Sequence, residues 1–239
     1  MKKFILLLFC VMIFSASARM ICITRHGQVG NWEKADVNHK LGEQQLTPLG
    51  RKQAELLGTY LKEKINFQGT ILASPILRTT ETACIAGKIL DKTVILDPGL
   101  QEVNPGALPS PRGMTPAEAE ELFPGMTVPG KNFTYPWRVS NEPRKISRER
   151  FIAAFDRIIR EHPGDLLLVT HAGGVSDIAG KLKERGKLPG WGMAWNCSLF
   201  IFELNEKDEP VSFRYVVEYM TDEQLTSNKH RYKVPSAHR

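Results

Sequence analysis

Short apolar runs that end abruptly in polar loops are the sequence feature that most constrains the fold of this chain. Such runs occupy 20–24, 70–73, 93–96 and 166–170, with segments of helical spacing between them. Strands that alternate with helices of this length indicate a mainly parallel sheet, because a parallel connection needs a crossover helix. Two closing strands are predicted at 197–204 and 211–219. We therefore predict a three-layer α/β/α fold with a mainly parallel central sheet.

Capping residues and apolar spacing predict where the helices lie. Thr47-Pro48 should open a helix that ends near Lys64, and Ser74-Pro75 should open one that runs towards Leu90. Two further helices are expected from near Ser147 to the Pro163-Gly164 pair, and from about Val175 to Arg185.

The segment between Asn104 and Pro143 differs in composition from the rest of the chain, because it is rich in proline and glycine. It contains one short helix signal, the capping box that Thr115 and Glu118 would form. We interpret residues 103–146 as a small lid insertion over the sheet.

The first 18 residues have the pattern of a signal peptide. Lys2 and Lys3 precede an apolar run over 4–14, and small residues follow it up to Ala18. A retained membrane anchor is the alternative, but a helical run of this length spans only about 17 Å of a hydrocarbon core of about 30 Å. We expect cleavage after Ala18, a mature domain over 19–239 without stable membrane insertion, and a secreted or periplasmic location.

The charge and the cysteine content restrict which ligands, disulfides and metal sites are expected. Loss of Lys2 and Lys3 with the leader would lower the formal net charge from +6 to +4. This mild excess suits an anionic substrate, but it is more typical of an ordinary solvated surface, and the absence of any long basic block argues against nucleic acid. Without the leader, which contains Cys10, the chain would keep three cysteines in apolar segments, Cys22, Cys84 and Cys197. No disulfide scaffold is therefore expected, although one pair stays open in an oxidising compartment. No spacing typical of a metal site is present, and we predict neither a metal nor another cofactor.

Five motifs fall in order at predicted strand ends or helix starts. They are Arg25-His26-Gly27, Leu46-Thr47-Pro48-Leu49-Gly50, the helix start from Ser74 to Thr82 with Arg78 within it, Leu100-Gln101-Glu102-Val103, and Val169-Thr170-His171-Ala172-Gly173. Ligands bind beyond the carboxyl ends of strands in sheets of this type. The set resembles the histidine phosphatase superfamily, the group of phosphoglycerate mutases and related phosphatases, over nearly the whole mature chain.

The resemblance implies a catalytic role for five side chains. His26 would attack phosphorus and form a phosphohistidine, and Glu102 would protonate the leaving oxygen and later act as a base for water. Arg25 and Arg78 would bind phosphate oxygens with their planar guanidinium groups, and His171 would hold another oxygen.

Three further residues are implied as substrate contacts. Gly27 and Ala172 would approach the phosphate through backbone N–H groups. Asn31 is included although it stands five positions after His26, where many relatives carry an asparagine at six.

A phosphatase that hydrolyses small phosphate monoesters without metal is therefore the predicted function. A phosphoglycerate mutase-type phosphotransferase is the first alternative. It is disfavoured because the segment after Glu102 lacks the basic, tyrosine-bearing stretch of mutases, and because export would separate the enzyme from glycolysis. The second alternative, a non-catalytic phosphate-binding module, would not need His26, Arg78 and Glu102 together.

Overall fold

The computed structural model describes residues 19–30, 37–38, 43–103, 113–135, 142–188 and 193–226. Within these ranges the strands are β1 Arg19–Arg25, β2 Val37–Asn38, β3 Glu43–Gln44, β4 Thr70–Ala73, β5 Val94–Leu96, β6 Thr127–Pro129, β7 Leu166–Thr170, β8 Leu199–Leu204 and β9 Pro210–Val216. The α-helices are α1 Pro48–Tyr60, α2 Leu77–Leu90, α3 Pro116–Leu122, α4 Arg144–Glu161 and α5 Ala172–Gly186. A π-helical turn, Leu61–Ile65, extends α1, and a 3-10 turn, Pro98–Leu100, follows β5. In these ranges we find no helix with the length and apolar character needed to span a membrane.

The central sheet has seven strands in the order β6-β5-β4-β7-β1-β8-β9. The first five run parallel to one another, whereas β8 is antiparallel to both β1 and β9. The predicted mainly parallel sheet is confirmed. The small pair β2-β3 forms a separate antiparallel ladder.

Helices cover both faces of the sheet because the side chains of its central strands alternate between two apolar cores. Cys22 of β1 packs with side chains of α1 and α2 on one face. Its neighbours Ile21 and Ile23 pack with α4 and α5 on the other face. This alternation is the period of two expected of a strand that is buried on both sides, and it confirms the three-layer arrangement.

Two helix starts follow the predicted capping chemistry. The Thr47 hydroxyl accepts a hydrogen bond from the N–H of Gly50 at 3.0 Å, with Pro48 in the first turn of α1. Thr115 and Glu118 form the expected capping box at the start of α3. Helices α4 and α5 each begin about one turn earlier than predicted, at Arg144 and Ala172.

The prediction that Ser74 caps α2 is wrong. The helix begins at Leu77, and its first N–H donates to the buried carboxylate of Glu43 at 2.5 Å. The Ser74 hydroxyl instead lies 3.1 Å from Nε2 of His171. Glu43 therefore acts as the N-cap of α2 from a distant part of the chain. A local sequence pattern does not reveal such a cap.

The predicted lid contributes one strand to the central sheet. Within the described part of 103–146, β6 pairs in parallel with β5 at the sheet edge, in addition to the expected short helix α3. The N–H of Met114 also donates to the carbonyl of Pro75 at 3.0 Å, beside the start of α2. This part of the segment is thus anchored to the sheet and to α2.

Cys22, Cys84 and Cys197 are free and buried. Burial raises the pKa of the Cys84 thiol to about 12, and it raises the pKa values of the other two thiols as well. The structure therefore places these three cysteines as apolar packing residues without a disulfide among them.

Three neighbouring parallel strands bring the candidate residues to one edge of the sheet. Strands β4, β7 and β1 are adjacent, and their last residues are in register, Ala73 with Val169 and Arg25 with Thr170. The loops that carry Ser74, His171 and His26 consequently leave the sheet side by side.

Gly50 tests the packing that positions the loop after β1. A Cβ atom at Gly50 would lie 2.1 Å from the carbonyl oxygen of Gln28. We expect Gly50→Ala to lower the free energy of unfolding by about 1–3 kcal/mol, because the start of α1 must move off this backbone. Urea titration measures the change. Gly164→Ala is the matched control, since a Cβ there meets nothing within 4 Å. Equal midpoints for the two variants would contradict this account of the loop.

Candidate active site

His26 follows β1 directly and is almost completely buried, with 2% of its surface exposed. Its backbone N–H donates to the carbonyl of Thr170 at 3.0 Å, which ties the loop after β1 to the end of β7. The rings of His26 and His171 meet edge to face with their centroids 5.4 Å apart. The two predicted histidine loops therefore form one site.

The contacts of the His26 ring define its tautomer. Nδ1 lies 2.7 Å from the carbonyl oxygen of Gly27, which can only accept, so Nδ1 carries the proton. Nε2 lies 3.2 Å from Nε of Arg78, which can only donate, so Nε2 presents its lone pair. A neutral ring with the lone pair of Nε2 directed into the site is the form that acts as a nucleophile.

Burial lowers the pKa of His26 well below its usual value. The positive charges of Arg78 and Arg25 lower it further, whereas the hydrogen bond to Gly27 opposes the shift. Desolvation and neighbouring cations both disfavour the imidazolium form. The site thus keeps Nε2 of His26 unprotonated.

Arg78 lies in the first turn of α2 and contacts both histidines. Nη2 is 3.3 Å from Nδ1 of His171, and Nη1 is buried without a hydrogen-bond partner among the described residues. Burial lowers the pKa of this guanidinium, and the negative charges of Glu102 and Glu43 raise it. Arg78 therefore places a cation with an unused donor beside His26.

Arg25 supplies a second cation from the last position of β1. Its Nη1 donates to the carbonyl of Ala194 at 3.1 Å, and its buried Nε has no hydrogen-bond partner within the described ranges. Burial lowers the pKa of Arg25 to about 10, so the side chain stays charged at neutral pH. Buried donors of this kind are normally satisfied, and an anion would satisfy them here.

His171 and Glu102 face the same space from the other side. Nδ1 of His171 lies 3.7 Å from Oε2 of Glu102 and accepts from Arg78, so Nε2 donates to the Ser74 hydroxyl. Oε1 of Glu102 accepts from the N–H of Val103 at 2.9 Å. The Glu102 side chain is 27% exposed, which places this carboxylate at the rim of the site.

Ala172 and Gly173 form the start of α5. His171 precedes this helix without making a side-chain cap, and the first N–H groups of a helix have no partner inside it. A Cβ atom at Gly173 would lie 3.2 Å from Oε1 of Glu102. Glycine at this position lets the carboxylate come close to the helix start.

Gly27 has a different set of contacts from those predicted. Its N–H donates to the hydroxyl of Thr82 at 3.0 Å, so the loop uses this donor internally. A Cβ atom at Gly27 would lie 2.5 Å from the carbonyl oxygen of Gly50. The need for glycine here comes from packing against α1. Asn31, the remaining predicted contact, lies outside the described residues.

The other carboxylates near the predicted lid have partners of their own. Glu118 belongs to the capping box, Glu120 accepts from the N–H of Gly125, and Glu142 forms an ion pair with Arg150. Glu102, in contrast, faces His171, with Oε2 lying 3.7 Å from Nδ1.

A sequence profile of the histidine phosphatase superfamily (branch 1) matches residues 21–214. The chain belongs to this superfamily. No sequence among curated proteins is similar enough to count as a relative.

Several solved structures share the fold. The ecdysone phosphate phosphatase of Bombix mori, in complex with tungstate, has a TM-score of 0.57 and 21% identity, covering 81% of this chain and 92% of that one. The YhfR protein of Bacillus stearothermophilus has a TM-score of 0.56 and 22% identity, covering 84% and 97%. A mycobacterial glucosyl-3-phosphoglycerate phosphatase has a TM-score of 0.54 and 22% identity, covering 84% and 98%.

Sequence reasoning missed several side chains that hold the site of this superfamily member. Ser74 holds His171, Thr82 holds the N–H of Gly27, and Glu43 caps α2 just before Arg78. Asn196 donates to the carbonyl of His26 at 2.8 Å from a loop 170 residues away. Contacts at such separations leave no periodic signal in the sequence.

The His26 ring should stay uncharged through the physiological pH range. Because the pKa of His26 is depressed, we expect its ring resonances in long-range 1H–15N spectra to stay constant from about pH 8 to pH 5. In the unfolded chain, the His26 ring would take up a proton at its ordinary pKa of about 6.5. Protonation of the unfolded state therefore lowers the free energy of unfolding as the pH falls below that value. The resonances are assigned by their loss in His26→Ala. Titration with a midpoint near the ordinary imidazole value would contradict this description.

Proposed function

We propose that the protein is a phosphatase that hydrolyses phosphate monoesters through a phosphohistidine on His26, with Glu102 as the proton donor. The observation that carries the proposal is the neutral His26 ring, whose Nε2 lone pair faces Arg78 beside His171. A phosphoryl group needs an in-line nucleophile and cations for its oxygens, and this cluster supplies both.

In the first step, Nε2 of His26 attacks phosphorus and forms a P–N bond. The bond between phosphorus and the ester oxygen breaks, and the leaving oxygen takes a proton from the carboxyl group of Glu102. The unused donors of Arg78 and Arg25 bind phosphate oxygens. His171 holds another oxygen once its Nδ1, which accepts from Arg78 in the free site, has taken up a proton and become a donor. Nδ1 keeps its proton, and its bond to Gly27 steadies the positive charge that develops on the ring.

In the second step, water attacks the phosphohistidine. Glu102 now takes a proton from this water, the P–N bond breaks, and Nε2 recovers its lone pair as inorganic phosphate leaves. Glu102 is suited to both steps because it sits at the exposed rim, where the leaving group departs and water enters.

We propose that this chemistry runs without a metal ion. The two guanidinium groups supply positive charge to the phosphate, which is the role that a metal serves in other phosphoryl-transfer sites. In the described part of the chain, no three His, Cys, Asp or Glu residues are grouped so that they would hold a metal.

The substrate is proposed at the level of small phosphate esters. Two structural relatives are named for ecdysone phosphate and glucosyl-3-phosphoglycerate, compounds that share a phosphate ester and differ in the rest of the molecule. These names favour hydrolysis over the mutase alternative. They leave the alcohol part of the substrate open for a screen.

We also propose that the chain is exported and cut after Ala18. This proposal rests on the leader pattern. Arg19 itself donates to the carbonyls of Ile159 and His162 at 2.8 and 2.9 Å. N-terminal sequencing of the exported protein should begin at Arg19; a retained leader would overturn the proposal.

Hydrolysis of p-nitrophenyl phosphate in EDTA tests the nucleophile and the metal together. We expect the chain from Arg19 onward to turn over in EDTA and His26→Ala to lose activity by roughly 10⁴-fold or more, since no other nucleophile replaces the ring. Loss of wild-type turnover in EDTA, restored by added metal, would refute the metal-free proposal. A complete lack of turnover across a panel of phosphate esters would favour the binding module.

The dependence on leaving group tests Glu102. We expect Glu102→Gln to lower kcat/KM for an alkyl phosphate by about 10²–10⁴-fold, because the poor leaving group needs a proton. The loss should be much smaller for p-nitrophenyl phosphate, whose leaving group is stable as an anion. Glu121→Gln, an exposed carboxylate on α3, is the control and should retain activity. Equal losses on both substrates would remove Glu102 from the role of proton donor.

A further inference from the structure

A chain of buried polar side chains runs from the loop after β1 to the last described residues. It contains Gln53 of α1, Asn196 and Thr226, which are 0%, 0% and 5% exposed. Nε2 of Gln53 donates to the Thr226 hydroxyl at 2.9 Å, and that hydroxyl lies 3.3 Å from Oδ1 of Asn196. The N–H of Asn196 donates to the carbonyl of Thr226 at 2.8 Å. We call these three residues the loop clamp.

The loop clamp holds two successive peptide groups around Gly27. Nδ2 of Asn196 donates to the carbonyl of His26 at 2.8 Å, on one side of the first peptide, and Thr82 accepts from the N–H of Gly27 on the other. Oε1 of Gln53 accepts from the N–H of Gln28 at 2.8 Å, on one side of the second peptide. The carbonyl of Gly27, on its other side, accepts from Nδ1 of His26.

This arrangement links Gln53 to the nucleophile through a rigid unit. The N–H of Gln28 and the C=O of Gly27 belong to one planar peptide and point in opposite directions. Fixing the N–H therefore fixes the direction of the C=O. If the bond to Gln53 were lost, the peptide would be able to rotate, and the Gly27 carbonyl would turn away from the His26 ring.

The amide of Gln53 has a defined orientation because both of its ends are used. Its oxygen accepts from Gln28, and its nitrogen donates to the carbonyl of Gln224 at 2.5 Å and to Thr226. Residues 221–226 thus fix the side-chain amide of Gln53. That amide in turn fixes the peptide between Gly27 and Gln28. The family match ends at residue 214, so these contacts come from chain beyond it.

We propose that Gln53, Asn196 and Thr226 are positioning residues that keep His26 in its Nδ1–H form, and that the functional unit extends to Thr226. The proposal rests on the proposed function for the role of His26 as nucleophile. These residues act through the backbone of the loop, and no contact between them and the ring is needed. Thr226 reaches the ring through Gln53 and the peptide between Gly27 and Gln28.

Long-range 1H–15N spectra of the His26 ring test the proposal without reference to activity. In the wild type, Nδ1 should have the shift of a protonated nitrogen and Nε2 that of an unprotonated one. We expect Gln53→Leu and Thr226→Val to move both shifts towards averaged values, because the ring loses its fixed acceptor and the donor Arg78 is then the one remaining contact of the two that assign the tautomer. Thr226→Ser keeps the hydroxyl and should restore the wild-type pattern. Ser147→Ala removes a buried hydroxyl of α4 and should leave the pattern unchanged.

Activity of the same variants provides the second readout. We expect kcat to fall roughly 10- to 100-fold in Thr226→Val through misplacement of the nucleophile, while the inhibition constant of inorganic phosphate changes by about twofold or less. A purely structural loss would instead lower the fraction of active sites and leave kcat per active site unchanged.

The outcomes separate this proposal from the proposed function. Wild-type shifts in folded Gln53→Leu, or in Thr226→Val if the first variant does not fold, would overturn the role of the loop clamp even in an active enzyme. Averaged shifts in a chain that hydrolyses no phosphate ester would support the loop clamp while refuting the proposed function.

Discussion

The hydrogen bond from Nδ1 of His26 to the carbonyl of Gly27 is the contact on which the site depends. It assigns the proton to one side of the ring and leaves the lone pair of Nε2 on the side that faces Arg78. The fold serves this contact in two ways. Parallel strands place the loop beside His171, and close packing of Gly27 on Gly50 fixes the path of the backbone. Glycine is needed at both positions because a Cβ at either one would overlap backbone atoms of the other segment.

The charges of the same site favour an anionic ligand. Two buried guanidinium groups lie near a neutral histidine, and each has a buried nitrogen without a hydrogen-bond partner among the described residues. Leaving a buried donor unsatisfied costs about 1–3 kcal/mol, and more for a charged group. Glu102 and Glu43 offset part of the charge at longer range, as their effects on the pKa of Arg78 indicate. A phosphate group would complete these contacts, as the proposed function requires.

Most of the fold was predictable because apolar periodicity and capping chemistry are local. The runs that became β4 and β7 were identified with their observed ends, and Thr47 caps α1 as its sequence suggested. The errors arose where distant residues take over a local role. Glu43 caps α2 in place of Ser74, and β6 forms a strand only because the edge of β5 is there to pair with it. In the site, sequence motifs identified His26, Arg78, His171 and Glu102. Gln53 and Asn196 hold the loop through contacts that no sequence motif reveals.

Trapping the reaction intermediate tests the assignment of His26 most directly. The chain from Arg19 onward is mixed with excess substrate and quenched in base within the first turnover. The quenched protein is digested and analysed by mass spectrometry. 15N NMR of the phosphorylated peptide then identifies which ring nitrogen carries the phosphoryl group. The account predicts one phosphoryl group, on Nε2 of His26, which forms and decays fast enough to support steady-state turnover. Turnover with the phosphoryl group on another residue, or with no covalent adduct at any quench time, would contradict it.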